Sequence, residues 1–218
     1  MKYRAAIFDM DGTILNTLED LYLAVNHTMK KFNYQERTMD EVRRFVGNGV
    51  DRLIACSLPG GYGDENFNAA VKEYRAYYSA HSDVKTAPYD GIRELIDKLQ
   101  KNGVAVAVVS NKPDISVKEL SLKYFPSVKY AFGERESDGI RRKPFPDMIL
   151  YAADKLSVLP KDCVYIGDSE VDVESAENSG MDCITVLWGF RDREFLLEKG
   201  ARIFAYDTDD VYRLIMSE

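Results

Sequence analysis

The sequence feature that most constrains the fold is a set of short, almost entirely apolar runs that recur along the chain. Each run has the length of a β-strand. Continuous apolar runs of this length are typical of parallel strands covered on both faces, because a strand with one wet face alternates apolar and polar residues. We therefore predict buried parallel strands. The runs are Ala5 to Phe8, Val104 to Val109, Cys163 to Ile166 and Cys183 to Leu187.

Helical patterns lie between these runs. One apolar face extends from Ile92 to Leu99, in a helix predicted to end near Asn102-Gly103. Another spans about residues 145–156. Strands that alternate with helices in this way predict an α/β fold with a doubly wound parallel sheet.

Residues 17–83 interrupt this alternation, because they carry helical periodicity and no convincing strand. Their apolar side chains form stripes at spacings that suit helix-on-helix packing. Thr38 and Glu41 form a capping-box pair before a short helix that leads to Arg43 and Arg44. We predict an α/β core made of residues 1–16 and 84–218, with an inserted helical domain at residues 17–83.

Composition and charge exclude several classes of protein. A chain of 218 residues allows one well-buried α/β domain with a smaller appendage. The formal net charge of −7 argues against a nucleic-acid partner, which would require a basic surface. Met1 to Arg4 lead directly into the first apolar run, so we predict neither a signal peptide nor a membrane anchor. We expect a cytoplasmic protein with no membrane partner.

Two carboxylates follow the first apolar run. Asp9 and Asp11 are separated by one residue, and side chains at i and i+2 of an extended segment point the same way. Ligands bind at the carboxyl ends of the strands in a doubly wound sheet. Like charges this close are tolerable if a divalent cation neutralises them or if one carboxyl keeps its proton. A turn capped by aspartate is the alternative, but it seldom explains both residues.

Polar residues follow the other predicted strands as well. Ser110 and Asn111 come after one run, and Asp168 comes after another, with Asp172 four residues later. Lys143 precedes a predicted helix and adds a point positive charge. We expect these side chains at one edge of the sheet. Each residue alone is a weak signal, whereas the ordered set is specific.

Four segments, taken in order, resemble the motifs of the haloacid dehalogenase superfamily. They are Asp9-x-Asp11-Gly12-Thr13, Ser110-Asn111, Lys143-Pro144 and Gly167-Asp168-Ser169-x-x-Asp172. The resemblance covers essentially the whole chain and implies a Rossmann-like core. The helical insert resembles the cap of a subgroup that includes phosphoglycolate phosphatases, bacterial pyrophosphatases and β-phosphoglucomutase. Asn16-Thr17 stands where many relatives have Asp-Ser, and we expect this departure to affect the start of the cap.

The resemblance implies a phosphatase that acts on small phosphate monoesters. Asp9 would be the nucleophile that carries the phosphoryl group, and Asp11 would be the general acid and base. Ser110 and the backbone amide of Asn111 would bind the transferring phosphoryl oxygens. Lys143 would balance the negative charge on Asp9 and on the phosphate.

The same resemblance implies Mg²⁺ as cofactor. The carboxylates of Asp9 and Asp168 and the backbone carbonyl of Asp11 would hold the ion. Asp172 would be an auxiliary ligand. Thr13, in the first motif, is assigned to substrate binding together with Asn111.

Two further segments resemble phosphoglycolate phosphatases and favour phosphoglycolate as substrate. In the first, Gly47 would allow close approach of the backbone to a ligand, and Arg44 would meet a small carboxylate. A helix C-terminus with solvated arginines explains those two residues equally well. In the second, Trp188 either lines the substrate cleft or packs in the core.

Other functions on the same fold stay open. A phosphosugar mutase of the β-phosphoglucomutase type needs a cap that excludes water, and no feature of the sequence demands one. A pyrophosphatase is a further alternative. A non-catalytic binding protein with this fold belongs to a different class, and the intact Asp9, Asp11, Lys143 and Asp168 count against it. The expected partner is a small phosphorylated metabolite, and the chain is expected to be a monomer or a homodimer.

Overall fold

The computed structural model describes residues 1–217, which divide into two compact units. The first, here called the core unit, comprises residues 1–15 and the chain from residue 88 onward. The second, the helical unit, comprises residues 16–87. The helical unit is thus inserted in the sequence of the core unit.

The helices and strands alternate along the core unit, and the helical unit is almost entirely helical. Within residues 1–217 the strands are β1 (Ala5–Phe8), β2 (Leu15–Asn16), β3 (Ala87–Pro88), β4 (Ala105–Pro113), β5 (Tyr130–Glu134), β6 (Cys163–Gly167), β7 (Asp182–Val186) and β8 (Ile203–Ala205). The α-helices there are α1 (Leu18–Lys31), α2 (Met39–Phe45), α3 (Gly49–Ser57), α4 (Phe67–His81), α5 (Ile92–Lys101), α6 (Asp114–Tyr124), α7 (Asp147–Leu156), α8 (Glu170–Ser179), α9 (Arg193–Glu198) and α10 (Thr208–Met216).

A six-stranded sheet forms the centre of the core unit, in the order β5-β4-β1-β6-β7-β8. Every neighbouring pair in it is parallel. The chain builds outward from β1 in one direction through β4 and β5, and in the other through β6, β7 and β8. The prediction of a doubly wound α/β sheet is confirmed. The reversal of strand order at β1 creates a topological switch point, where such sheets bind ligands.

Both faces of the sheet are covered, which explains the continuous apolar runs of its central strands. Successive side chains of a strand point to opposite faces. Ala6 and Phe8 of β1 therefore pack in one hydrophobic cluster with side chains of α5 and α10. Ala5 and Ile7 pack in another with side chains of α7 and α8. All four β1 residues are buried.

The predicted strands correspond to β1, β4, β6 and β7, with one difference that matters for the site. The apolar pattern predicts that the second strand ends at Val109, whereas β4 continues to Pro113 and contains Ser110, Asn111 and Lys112. These three polar residues are buried inside the strand rather than exposed after it. The edge strands β5 and β8 were not predicted, because each contains only three consecutive apolar residues and is partly half-buried.

The helical unit is held by helix packing and by one buried carboxylate. Helix α1 packs against α4, and α3 also packs against α4. Asp20 on α1 is 2% exposed and accepts hydrogen bonds from the backbone N–H groups of Val84, Lys85 and Thr86 at 2.8–3.1 Å. The Thr86 hydroxyl donates to it as well, at 2.8 Å. Asp20 therefore joins the beginning of this unit to its end.

The capping box predicted in the helical unit is confirmed. The Thr38 hydroxyl accepts from the backbone N–H of Glu41 at 3.2 Å, and the Glu41 carboxylate accepts from the backbone N–H of Thr38 at 2.7 Å. Both donors belong to the exposed first turn of α2, which has no intrahelical partners for them. Among residues 1–217, none of the helices has the length and apolar character needed to cross a membrane.

Candidate active site

The site is built first by β1, which delivers Asp9 to the carboxyl edge of the sheet. The backbone N–H of Asp9 donates to the carbonyl of Ile166 on β6 at 2.8 Å, which extends the parallel pairing by one residue. Asp9 is 6% exposed. The chain then turns sharply, with Gly12 at a φ of 85°, a conformation that favours glycine. A central strand followed by a tight loop therefore fixes the Asp9 carboxylate at the switch point.

Lys143 provides the positive charge beside Asp9. Its ammonium group lies 2.7 Å from Asp9 Oδ1 and 2.7 Å from Asp172 Oδ1, and its side chain is 3% exposed. Burial alone would lower the pKa of Lys143, but the carboxylates of Asp172 and Asp9 outweigh it and raise that pKa well above its usual value. Lys143 is therefore a fixed cation and not a proton donor at neutral pH.

The backbone of Lys143 is held by the side chain of Asn111. The Asn111 amide accepts from the Lys143 N–H and donates to the Lys143 carbonyl, both at 2.9 Å. The Lys143–Pro144 peptide bond is cis. This two-bond clamp joins β4 to the segment that precedes α7. The Asn111 side chain thus positions Lys143, whereas the sequence analysis assigned the backbone amide of Asn111 to substrate; that assignment stays a prediction.

Tyr165 contacts the same ammonium group and was missed by the sequence analysis. Its hydroxyl accepts from Lys143 Nζ at 2.9 Å and donates to the carbonyl of Val109 at 3.3 Å. It is fully buried on β6. A tyrosine within an apolar run indicates packing, and the only signal for its second role is that a buried hydroxyl needs a hydrogen-bond partner.

The second acidic pair lies where β6 leads into α8. Asp172 Oδ2 accepts from the Ser169 hydroxyl at 2.6 Å and from the backbone N–H groups of Asp168 and Ser169 at 3.2 and 3.1 Å. With Lys143 on Oδ1, both oxygens of Asp172 have partners. The Asp172 carboxylate therefore organises the β6–α8 turn and orients Lys143, and its role as an auxiliary metal ligand stays a prediction.

Asp168 is held differently. Its Oδ2 accepts from the backbone N–H of Phe190 at 2.6 Å, and its Oδ1 accepts from the Thr13 hydroxyl at 3.2 Å. Two glycines make room for it, because a Cβ on either Gly12 or Gly189 would lie 2.3 Å from an atom of the Asp168 side chain. Burial and the neighbouring Asp172 carboxylate raise the pKa of Asp168 to about 7.

The charges of this cluster fit a divalent cation. Asp9, Asp168 and Asp172 each offer a carboxylate oxygen, and these oxygens lie within 4.8 Å of one another. Burial raises the pKa of Asp9 well above its usual value; Lys143 opposes the shift, while the other carboxylates add to it. Carboxylates this close repel one another, which favours their protonated forms. A bound Mg²⁺ would offset that repulsion, because its preferred ligands are oxygen atoms.

Asp11 faces a second lysine rather than Lys143. Lys112 Nζ lies 3.1 Å from Asp11 Oδ1, with side-chain exposures of 3% for Lys112 and 15% for Asp11. The backbone N–H of Lys112 donates to the Ser110 hydroxyl at 3.3 Å. The sequence pattern gives no signal for Lys112, because a lysine that follows an apolar run is ordinarily exposed. The extension of β4 to Pro113 is what buries it.

Comparison with known proteins decides the family. The model of the family described as haloacid dehalogenase-like hydrolase matches residues 6–186, which include all the site residues described above except Gly189 and Phe190. The chain belongs to this family. The predicted resemblance is therefore confirmed, and the chain is a hydrolase of the haloacid dehalogenase type.

Relatives of this hydrolase extend over most of its length. A phosphoglycolate phosphatase from Aquifex aeolicus is 30% identical over 194 residues, which are 86% of each chain. One from Xylella fastidiosa (strain 9a5c) is 28% identical over 191 residues, 88% of this chain and 83% of the relative. The solved structure of a protein from Lactobacillus delbrueckii subsp. bulgaricus, proposed to be a phosphoglycolate phosphatase, superposes with a TM-score of 0.92 at 37% identity, covering 100% of both chains.

The remaining residues predicted for this hydrolase lie in two places. In the core unit, the Thr13 hydroxyl contacts Asp168, and the Thr13 carbonyl accepts from Trp188 Nε1 at 3.0 Å, so Trp188 steadies the loop that carries Asp11. In the helical unit, Arg44 is exposed on α2, and its Nε donates to the Asp40 carbonyl at 3.2 Å. Gly47 follows α2 with a φ of 123°. The assignments of Thr13, Arg44 and Gly47 to substrate stay predictions.

Proposed function

We propose that this hydrolase is a Mg²⁺-dependent phosphatase that cleaves small phosphate monoesters through a phosphorylated Asp9, and that phosphoglycolate is its substrate. The observation that carries the proposal is the environment of Asp9. Its carboxylate ends the central strand at the switch point, one oxygen is held by the Lys143 ammonium, and two further carboxylates lie close by. A nucleophile needs a fixed position and a balanced charge, and this arrangement supplies both.

In the first step an Asp9 oxygen attacks phosphorus. A bond between that oxygen and phosphorus forms, and the bond between phosphorus and the ester oxygen breaks. Lys143 stays charged and offsets the negative charge that gathers on the phosphoryl oxygens, because its partners hold its pKa high. Asn111 and Tyr165 keep the ammonium in place.

Asp11 moves the proton in both steps. Two residues beyond the nucleophile, it first donates a proton to the departing ester oxygen, which leaves as a neutral alcohol. It then accepts a proton from the water that attacks phosphorus, and the bond between Asp9 and phosphorus breaks. The free carboxylate of Asp9 and inorganic phosphate result. The Asp11 side chain is 15% exposed and the Asp9 side chain is 8% exposed. The greater exposure of Asp11 suits contact with a leaving group and with water.

The carboxylates of Asp9 and Asp168 and the backbone carbonyl of Asp11 would hold Mg²⁺, with Asp172 as an auxiliary group. When bound, the ion neutralises these carboxylates and withdraws charge from the phosphoryl group. Gly12 and Gly189 leave the space that the Asp168 carboxylate occupies. Thr13 and Phe190 orient that carboxylate through hydrogen bonds.

Phosphoglycolate is proposed because the relatives described above bear the name phosphoglycolate phosphatase. Relatives named phosphoglycolate phosphatase align with 86% or more of this chain at 28–30% identity. The structure from Lactobacillus delbrueckii, at 37% identity over the whole chain, was given the same proposed activity. These similarities support a small anionic phosphate ester as the first substrate to measure.

A substrate panel tests the proposed function. Hydrolysis of phosphoglycolate, pyrophosphate, ethyl phosphate and an aryl phosphate is measured with Mg²⁺ and with chelator, and formation of glucose 6-phosphate from β-glucose 1-phosphate is followed in parallel. We expect phosphoglycolate to have the highest kcat/KM and chelator to abolish all turnover. Preference for pyrophosphate, or isomerisation of the sugar phosphate, would replace the proposed substrate. Absence of any Mg²⁺-dependent hydrolysis would overturn the proposed phosphatase.

A further inference from the structure

Lys112 is a buried charged residue that the proposed mechanism does not use. Among the residues that the structure describes, the buried lysines are Lys112 and Lys143. The Lys143 ammonium is paired with the carboxylates of Asp9 and Asp172. Lys112 lies apart from that pair, with its ammonium 3.1 Å from Asp11 Oδ1. Lysine is almost never fully buried without a reason, because desolvating an ammonium group costs several kcal/mol.

The position of Lys112 is fixed from two sides. It lies in β4, which is buried almost throughout, and its backbone N–H donates to the Ser110 hydroxyl at 3.3 Å. Its side chain is 3% exposed, so the ammonium cannot sample many positions in solvent. Asp11, at 15%, is the more exposed member of the pair. A molecule that reaches Asp11 from solvent therefore arrives beside the Lys112 ammonium.

We propose that Lys112 binds a carboxylate of the substrate and thereby selects phosphate esters of short hydroxy acids. Asp11 must contact the ester oxygen to protonate it, so the leaving group lies against Asp11. When the carbon bonded to that oxygen carries a carboxylate, the carboxylate falls next to the ammonium that already contacts Asp11. A buried ammonium paired with a carboxylate is a charge-assisted hydrogen bond, about twice as strong as a neutral one.

This inference rests on the proposed function, since it uses Asp11 as the group that faces the leaving oxygen. It goes beyond the sequence analysis, which gave the recognition of a carboxylate to Arg44. Arg44 is exposed on α2, whereas Lys112 is buried within the core unit beside Asp11. The two residues therefore make different predictions about which variant loses the preference for an acidic substrate.

The test compares phosphoglycolate with ethyl phosphate, which carries a methyl group where phosphoglycolate has its carboxylate. Steady-state kinetics with Mg²⁺ are measured for the wild type, Lys112→Met, Lys112→Arg and the matched surface control Lys161→Met. Lys112→Met should lower kcat/KM for phosphoglycolate by about 10- to 100-fold, mainly through KM, because a hydrogen bond to a charged group is lost. Ethyl phosphate should lose only about threefold.

Lys112→Arg retains a cation and should recover most of the loss on phosphoglycolate, and Lys161→Met should behave as the wild type. Equal losses on both substrates in Lys112→Met would overturn the proposal and assign Lys112 to the support of Asp11. A wild-type enzyme that hydrolyses both esters with equal kcat/KM would also overturn it, while leaving the phosphatase intact. No Mg²⁺-dependent turnover of either ester or of an aryl phosphate would instead remove the proposed function on which it rests.

Discussion

The two units each contain a buried aspartate, and the comparison between them separates a structural carboxylate from a candidate catalytic one. Asp20 in the helical unit is 2% exposed, and Asp9 in the core unit is 6% exposed. Asp20 is surrounded by neutral donors: backbone N–H groups and the Thr86 hydroxyl. Asp9 is surrounded by charges, with one ammonium against it and several carboxylates near it. Burial is common to both, so burial alone does not mark a functional site.

The difference lies in what each environment does to the charged form. Neutral donors satisfy Asp20 without adding charge, so its carboxylate stabilises the fold. At Asp9, burial and the like charges of Asp168 and Asp172 raise the pKa. The folded protein therefore disfavours the ionised form of this carboxyl group. Functional sites commonly retain such unfavourable interactions at the expense of stability. Substitutions at the two positions should therefore have opposite effects.

The largest expected effect is on turnover in Asp9→Asn. The variant lacks the nucleophile, so kcat on any phosphate ester should fall by more than about 10⁴-fold. Its free energy of unfolding in the absence of metal should be equal to or greater than that of the wild type, because one of several repelling carboxylates is gone. Kinetics and urea unfolding measure the two quantities. The exposed Asp154→Asn is the matched control and should change neither. A strongly destabilised Asp9→Asn would break the comparison.

The next effect is on stability in Asp20→Ala. The change leaves buried backbone donors without an acceptor, so the free energy of unfolding should fall by about 2–4 kcal/mol. Turnover of an aryl phosphate at a temperature where the protein is folded should change by less than about threefold. Urea unfolding and initial rates test this, with Asp20→Asn as the conservative variant that keeps one acceptor oxygen. A loss of turnover in folded Asp20→Ala would assign this carboxylate to function.

A smaller effect concerns the pH dependence of Mg²⁺ binding. Without metal, the pKa of Asp168 is raised to about 7, so its charged form lowers stability as pH rises from about 4 through 7. Mg²⁺ must displace that proton, so its affinity should rise by up to about tenfold per pH unit below 7 and level off above it. Isothermal titration calorimetry between pH 5.5 and 8.5 measures this affinity. Asp168→Asn should reduce this slope, and an affinity independent of pH between 5.5 and 7 in the wild type would contradict the prediction.

The smallest effect is on substrate preference in Arg44→Ala. If the helical unit supplies a contact to a substrate carboxylate, KM for phosphoglycolate should rise by a few-fold to about tenfold, and KM for an aryl phosphate should rise less. The neighbouring Asp40→Asn is the control for a change on the same helix. Equal changes on both substrates would assign Arg44 to the structure of α2. Together with the Lys112 variants, this comparison shows whether Arg44 or Lys112 binds the carboxylate of the substrate.

The sequence predicts the central part of the fold and the residues at its edge because both depend on local pattern. Apolar runs mark the strands that are covered on both faces. Asp9 and Asp168 follow from the polar residues at strand ends, and Lys143 follows from its position before a predicted helix in the ordered set. The edge strands β5 and β8 were missed because the apolar run in each is only three residues long. Strand order and the two clusters of side chains on either face are properties of the packed sheet.

The parts of the site that the sequence did not predict depend on contacts between distant segments. The sequence pattern indicates that Tyr165 is a core residue. Its contact with Lys143, whose Nζ lies 2.9 Å from the Tyr165 hydroxyl, forms only in the folded protein. Lys112 looks like a surface lysine until β4 extends past it and Asp11 pairs with it. Trp188 packs against the core cluster and donates a hydrogen bond to the Thr13 carbonyl, and its role in lining a cleft stays a prediction. None of these pairings has a local sequence signal.

The most direct test of the central claim is to trap the phosphorylated nucleophile. In Asp11→Asn the proton-transfer group is lost, which commonly costs about 10²–10⁴-fold in rate. An activated aryl phosphate needs little protonation of its leaving group, so Asp9 should still be phosphorylated, while the water that would remove the phosphoryl group lacks a base. Rapid quench followed by intact-protein mass spectrometry and peptide mapping should then find one phosphoryl group, on Asp9, in Asp11→Asn and none in the double variant that adds Asp9→Asn. A covalent phosphate on any other residue, or Asp11→Asn as fast as the wild type on an alkyl phosphate, would contradict the account.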